Sequence, residues 1–135
     1  MAEAGIARKM KRPAVGRAAI IHAPTGYEAQ AFRGLPAASS TLTGKFDWVQ
    51  VFVRSKAELD RLVPKAAQTL KPGAMLWISF PKGSSGIQTD LTRDKGWDGL
   101  KKLDLKWIKL ISVNETWSAF GLRPYRPGEE RTSFR

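Results

Sequence analysis

The chain has 135 residues, enough for one domain and short for two. Hydrophobic residues make up 42% of it, and 23 Lys and Arg face 12 Asp and Glu for a net charge of +11. With no Cys and a single His, a disulfide framework, a thiolate nucleophile, an iron–sulfur cluster and the usual zinc sites are excluded.

Residues 1–13 read as a basic arm. Within residues 1–17, Arg8, Lys9, Lys11, Arg12 and Arg17 face only Glu3. At the other end, Arg123, Arg126, Arg131 and Arg135 face Glu129 and Glu130, so more than half of the excess charge lies in the two ends. The arm residues Arg8, Lys9, Lys11 and Arg12 offer weak attraction for nucleic acid. A solvated surface is the plainer account, because no nucleic-acid recognition motif accompanies the charge. The apolar piece Ala18-Ala-Ile-Ile21 is too short for the core of a signal peptide. No apolar run nears the roughly 18 residues of a membrane span. A cytoplasmic protein without membrane contact is expected.

Arg17 to Ala23 is β-branched at its centre and predicts the first strand. Pro24-Thr25-Gly26 is a turn, and a short helix follows over about Tyr27 to Arg33, stopped by Gly34, Leu35 and Pro36. Ala37 to Gly44 is a loop. Phe46 to Val53 is a second strand, apolar enough for burial on both faces. Ser55-Lys-Ala-Glu58 is a capping box, with Glu58 expected to reach back to Ser55. Leu59, Leu62, Val63, Ala66, Ala67 and Leu70 then recur at helical spacing. Pro64 lies inside that pattern and is expected to kink or split the helix, which ends at Lys71-Pro72-Gly73.

Ala74 to Phe80 is a third strand, running into the turn-rich Pro81 to Gly86. A helix is expected at about Leu91 to Leu103, amphipathic through Trp97, Leu100 and Leu103. Leu105 to Val113 and Trp117 to Leu122 are strands separated by three residues, hence an antiparallel hairpin. The order βαβαβαββ predicts an α/β three-layer sandwich with a mostly parallel five-stranded sheet and an antiparallel terminal hairpin. One domain over 14–125 and a tail over 126–135 follow.

Two segments resemble a known family. One is Leu70-Lys-Pro-Gly-Ala-Met-Leu-Trp-Ile-Ser-Phe-Pro-Lys-Gly-Ser-Ser-Gly86 with Thr89-Asp90; the other is Val113-Asn-Glu-Thr-Trp-Ser118. With Ala23-Pro24 and Phe46-Asp47, they resemble the small bacterial proteins grouped as domain of unknown function three-zero-five-two. The strand pattern also resembles the second half of a class I methyltransferase fold, in which a Phe-Asp strand opening, a Leu-Lys-Pro-Gly turn and a final hairpin recur. That resemblance implies the strand order 1-2-3-5-4. It does not imply methyl transfer, because His22 to Tyr27 replaces the glycine-rich loop and the segment 34–45 lacks the next strand with its acidic residue.

Ligands of open parallel sheets bind outside the carboxyl ends of the strands. The loops there offer Thr25, Arg54, Ser55, Lys82, Ser84 and Ser85, with Lys82 the principal cation for a small anion or phosphate. The plainer reading is a turn whose serines bond local backbone. His22, Asp90, Glu115 and Trp117 are weaker candidates. His22 is a conceivable general base but equally a bonded strand residue, and Glu115 and Trp117 suit a turn and a core position. Trp107, between Lys106 and Lys109, is the one tryptophan kept as a base-stacking candidate. No metal and no cofactor are expected. The function expected is a non-catalytic binding or interaction domain, with an anion-binding enzyme or a weak nucleic-acid binder as alternatives.

Overall fold

A computed structural model describes residues 2–132. Five strands form one sheet: β1 (Ala18–Ile21), β2 (Phe46–Phe52), β3 (Leu70–Pro81), β4 (Leu105–Ser112) and β5 (Trp117–Pro124). Three helices accompany them: α1 (Ala2–Lys9), α2 (Tyr27–Ala31) and α3 (Lys56–Ala67). The strand order is β1-β2-β3-β5-β4, as the methyltransferase resemblance implied. β1, β2 and β3 pair in parallel, whereas β5 runs antiparallel to both β3 and β4. The sheet is therefore mixed, half of its pairings being antiparallel, rather than mostly parallel.

Helices and loops cover both faces. On one face, Val49, Val51, Leu76 and Ile78 pack with Leu59, Leu62, Val63 and Ala66 of α3. On the other, Trp48, Phe52 and Trp77 pack with Tyr27, Ala31 and Phe32 and with Met10. Alternate residues of β2 and β3 thus feed two cores, which is why these strands read as unbroken apolar runs.

Met10 decides the fate of the N-terminal segment. It is fully buried, and its carbonyl accepts the indole N–H of both Trp48 and Trp77 at 2.8 Å. Arg12 donates to the Pro36 carbonyl at 2.6 Å and lies over the Phe32 ring at 4.7 Å. The segment from Ile6 to Arg12 is thus docked on the sheet and does not hang free as an arm. Basic composition concealed this, because the docking uses a backbone carbonyl and cation–π stacking. At the other end, Glu129 accepts from Arg123 at 2.8 Å and from Lys106 at 2.9 Å, which folds the tail back onto β4 and β5. Residues 133–135 of the expected tail, and Met1 of the expected arm, lie outside the described residues.

Two expected helical features differ. α3 runs as one helix through Pro64, so the split does not occur, and the buried Leu59, Leu62, Val63 and Ala66 hold it on either side of the proline. Among the described residues, no helix forms over 91–103 beyond a 3₁₀ turn at Asp98–Leu100. Thr92 explains this: its hydroxyl accepts the N–H of Asp94 and Lys95, and Gly96 turns left-handed at φ 102°. Local hydrogen bonds thus compete with the helix. Leu91, Trp97 and Leu100 still bury against the sheet, so the apolar spacing is real but carried by turns.

Candidate functional site

The parallel strands β1, β2 and β3 end at one edge of the sheet, and the hairpin start joins them there because Pro81 pairs with Trp117. Two groups of side chains gather at this edge.

The first group surrounds the hairpin. The Arg54 guanidinium lies over the Trp117 ring at 5.2 Å. Lys82 donates its ammonium to the Ser112 hydroxyl at 2.6 Å, and Lys9 reaches the Ser112 carbonyl at 3.1 Å. Arg54, Lys82 and Trp117 are thus brought together. Trp117 itself is 3% exposed and packs on Phe52, so it is a core ring and not an open plate. Lys9 was missed as a neighbour of this edge because α1 docking was not legible.

Several other candidates have structural partners. Ser55 caps α3: its hydroxyl accepts the Glu58 N–H at 3.1 Å. The return bond goes one residue further than expected, since Glu58 accepts from the Arg54 N–H rather than from Ser55. Asp90 accepts the Lys56 N–H at 2.7 Å. The Ser85 hydroxyl accepts the Ile87 N–H at 3.2 Å. Thr25, Ser84 and Glu115 are exposed. Trp107 is buried and cannot serve as a base-stacking platform. Arg12, expected to meet nucleic acid, is 8% exposed; Arg8, Lys9 and Lys11 remain on the surface.

The second group is a cleft of about 860 Å³ beside the carboxyl end of β1. Ile20, Phe32 and Leu35 supply its apolar side, and His22, Glu28, Arg33 and Ser40 its polar side. β1 is an edge strand here. Residues 38–40 cover only part of it, with the Ile20 N–H donating to Ser39 and the Ser39 N–H to Ala18. The cleft opens where that cover stops.

Its walls are held from beneath. His22 is left-handed at φ 60°, a region non-glycine residues rarely occupy, and Gly26 follows at φ 82°. Together they swing the chain from β1 into α2. Tyr27, at the start of α2, donates its buried hydroxyl to Gln50 at 3.0 Å, and Gln50 donates to Ser79 at 2.9 Å. Glu28 accepts the Ala38 N–H at 2.6 Å, fixing one carboxylate oxygen. Arg12 lies behind this wall, where burial works against its charge and the Glu28 carboxylate opposes that effect. Only His22 of this group was among the sequence candidates. Glu28, Arg33 and Ser40 carry no motif and meet through topology alone.

No family model matches the sequence, and no curated protein matches it. Solved structures do. The chain is similar to ribosomal protein L11 methylase from Lactobacillus delbrueckii subsp. bulgaricus, with TM-score 0.59 and 16% identity over 92% of this chain and 77% of that one. It is also similar to the mitomycin 7-O-methyltransferase MmcR, with TM-score 0.58 and 11% identity over 91% of this chain but 53% of that one. A third is the N-methyltransferase NodS from Bradyrhizobium japonicum WM9, with TM-score 0.54 and 12% identity over 91% and 94% of the two chains.

The fold is methyltransferase-like. This likeness runs against the expectation of a non-catalytic interaction domain. It also runs against disfavouring methyl transfer on the ground of a missing glycine-rich loop. At β1, His22 and Gly26 make a left-handed turn without that motif, with a cleft beside it. Among the described residues, no helix is long and apolar enough to cross a membrane.

Proposed function

We propose that the chain binds an S-adenosylmethionine-type nucleoside in the cleft beside β1 and supports methyl transfer at that edge. One observation carries the reading: a methyltransferase-like sheet has a cleft of about 860 Å³ at the carboxyl end of β1. Ligand pockets of this kind span roughly 300–1,000 Å³ and combine apolar walls with a few polar groups.

The residues present fit such a ligand. Ile20, Phe32 and Leu35 would take an aromatic base. Glu28 and Ser40 would accept from and donate to sugar hydroxyls, and Arg33 would pair with a terminal carboxylate. When bound, the nucleoside supplies an activated methyl group on sulfur. His22 is the sequence's single imidazole and lines the same cleft, where it would take up a proton from the methyl acceptor. We also read Pro81 to Gly86 and Val113 to Ser118 as marks of kinship with the small bacterial family they resemble; both border this strand edge.

Isothermal titration with S-adenosylmethionine and S-adenosylhomocysteine tests the proposal. The wild-type chain is expected to bind both, and Arg33→Ala and Glu28→Gln each to weaken binding about tenfold, the loss of one charged hydrogen bond. Absence of binding by the wild type, or equal binding by all three proteins, overturns it.

A further inference from the structure

A second cleft, of about 710 Å³, lies where β4 begins and β5 ends. Leu122 of β5 pairs with Leu76 of β3, so this cleft is at the edge where the parallel strands start, opposite the nucleoside cleft. Its inner wall is aromatic: Trp97 and Trp107 meet edge to face at 5.8 Å, and Tyr125 flanks them. Its rim carries the carboxylates of Asp94, Asp98 and Asp104. Lys101 and Arg131 line the cleft as well, and Arg93 pairs with Asp94 at 3.6 Å, so the carboxylates open to a further cation are those of Asp98 and Asp104, in a chain whose net charge is +11.

A guanidinium already occupies part of this cleft. Arg131 donates to Asp104 at 2.8 Å, and its guanidinium carbon lies 4.3 Å from the centre of the Tyr125 ring. Stacking on one face and a carboxylate at the edge is the pairing a planar cation selects and a lysine ammonium does not reproduce. The pair is reversible, since the side chains of Arg131 and Asp104 are 57% and 66% exposed and exposed ion pairs hold weakly. The chain thus presents a guanidinium site filled by a weakly held residue of its own tail.

We propose that this cleft recognises an arginine side chain of a partner polypeptide, and that Arg131 is its built-in competitor. Charge complementarity selects the occupant: Asp98 and Asp104 supply the negative rim, while Tyr125 supplies the stacking face. A ligand that enters must first displace Arg131, so the apparent affinity is the intrinsic one reduced by the fraction of time the tail is away.

That competition gives a test with a distinctive sign. The probe is the capped peptide Gly-Ser-Arg-Ser-Gly, titrated into nitrogen-15-labelled full-length protein while the indole resonances of Trp97 and Trp107 are followed. Controls are the same peptide with lysine or with uncharged citrulline at the centre. Removing the exposed competitor in Arg131→Ala is expected to tighten arginine-peptide binding about five- to tenfold, whereas Asp104→Asn weakens it by about the same factor. Citrulline is expected not to bind, and lysine to bind less well than arginine. If Arg131→Ala binds no more tightly than wild type, if citrulline matches arginine, or if the two indoles stay unmoved, the proposal fails. If Arg131→Ala instead makes the chain dimerise in sedimentation velocity, the occupant is a second copy, and the assignment to a separate partner is overturned.

Discussion

The hydroxyl of Tyr27 heads a buried polar chain that ties the cleft beside β1 to the middle of the sheet. It donates to Gln50, which donates in turn to Ser79, and Gln50 and Ser79 are wholly enclosed. Burial, opposed by the bond to Gln50 and by Arg12, pushes the phenol from its ordinary 10.0 up to about 12. The folded protein therefore keeps a proton that the unfolded chain releases. Stability is complete below pH 10 and falls as pH rises from there to about 12, a loss on the order of 2 kcal/mol from this group. Tyr27→Phe is expected to cost about 1–2 kcal/mol at pH 8, because Gln50 loses its partner, and to remove this share of the alkaline slope. Urea denaturation of both proteins at pH 8 and pH 11 checks this; an equal alkaline loss in the two would place the cause elsewhere. Little of this was legible in the sequence. Tyr27 read as the start of a helix, Gln50 as one polar break in a strand and Ser79 as another. Only the parallel register of β2 and β3, with Phe52 opposite Ser79, brings the three side chains into one line.

The start of α3 shows the opposite case, an element whose chemistry is local and therefore readable. The capping box was visible in Ser55-Lys-Ala-Glu58, and the Ser55 hydroxyl does accept the Glu58 N–H. Glu58 and Asp90 satisfy two further donors, at Arg54 and Lys56. Ser55→Ala is expected to lower stability by about 1 kcal/mol, with the denaturant slope unchanged and faster hydrogen exchange at the Glu58 amide. Equal exchange in both proteins would show that the cap carries no load. The strands were legible for a similar reason, since apolar runs bounded by turn residues need no knowledge of partners. The stretch 91–103 was not, because helical spacing of Trp97, Leu100 and Leu103 says which side is buried and not how the backbone turns. Hydroxyl bonds at Thr92 and the left-handed Gly96 decide that. α1 escaped notice because its anchor is the carbonyl of Met10, and a carbonyl has no sequence signature.

Across the whole molecule, the two ends of the chain are fastened by different chemistry. The C-terminal segment depends on Glu129, which hydrogen bonds from Arg123, the Arg126 N–H and Lys106 hold well below the ordinary carboxylate value of 4.5. Such a group stabilises the fold above about that ordinary value and ceases to do so as pH falls below it. Acidification from pH 6 to pH 3 is expected to lower the melting temperature less in Glu129→Gln than in wild type. Identical shifts would show that the tail contributes nothing to the acid response. The +11 charge thus says less about partners than it first suggests, since Arg123, Lys106 and Arg12 are consumed in holding the chain to itself. The N-terminal segment depends on Met10, whose carbonyl takes an indole N–H from 38 and another from 67 residues further along. That span sets an order of events. Met10 is synthesised before Trp77 and cannot complete its contacts until Trp77 exists, and closing so long a loop is entropically costly. The segment around Met10 is made before both tryptophans and yet docks only after them, so the face bearing Trp48 and Trp77 stays uncovered until it arrives.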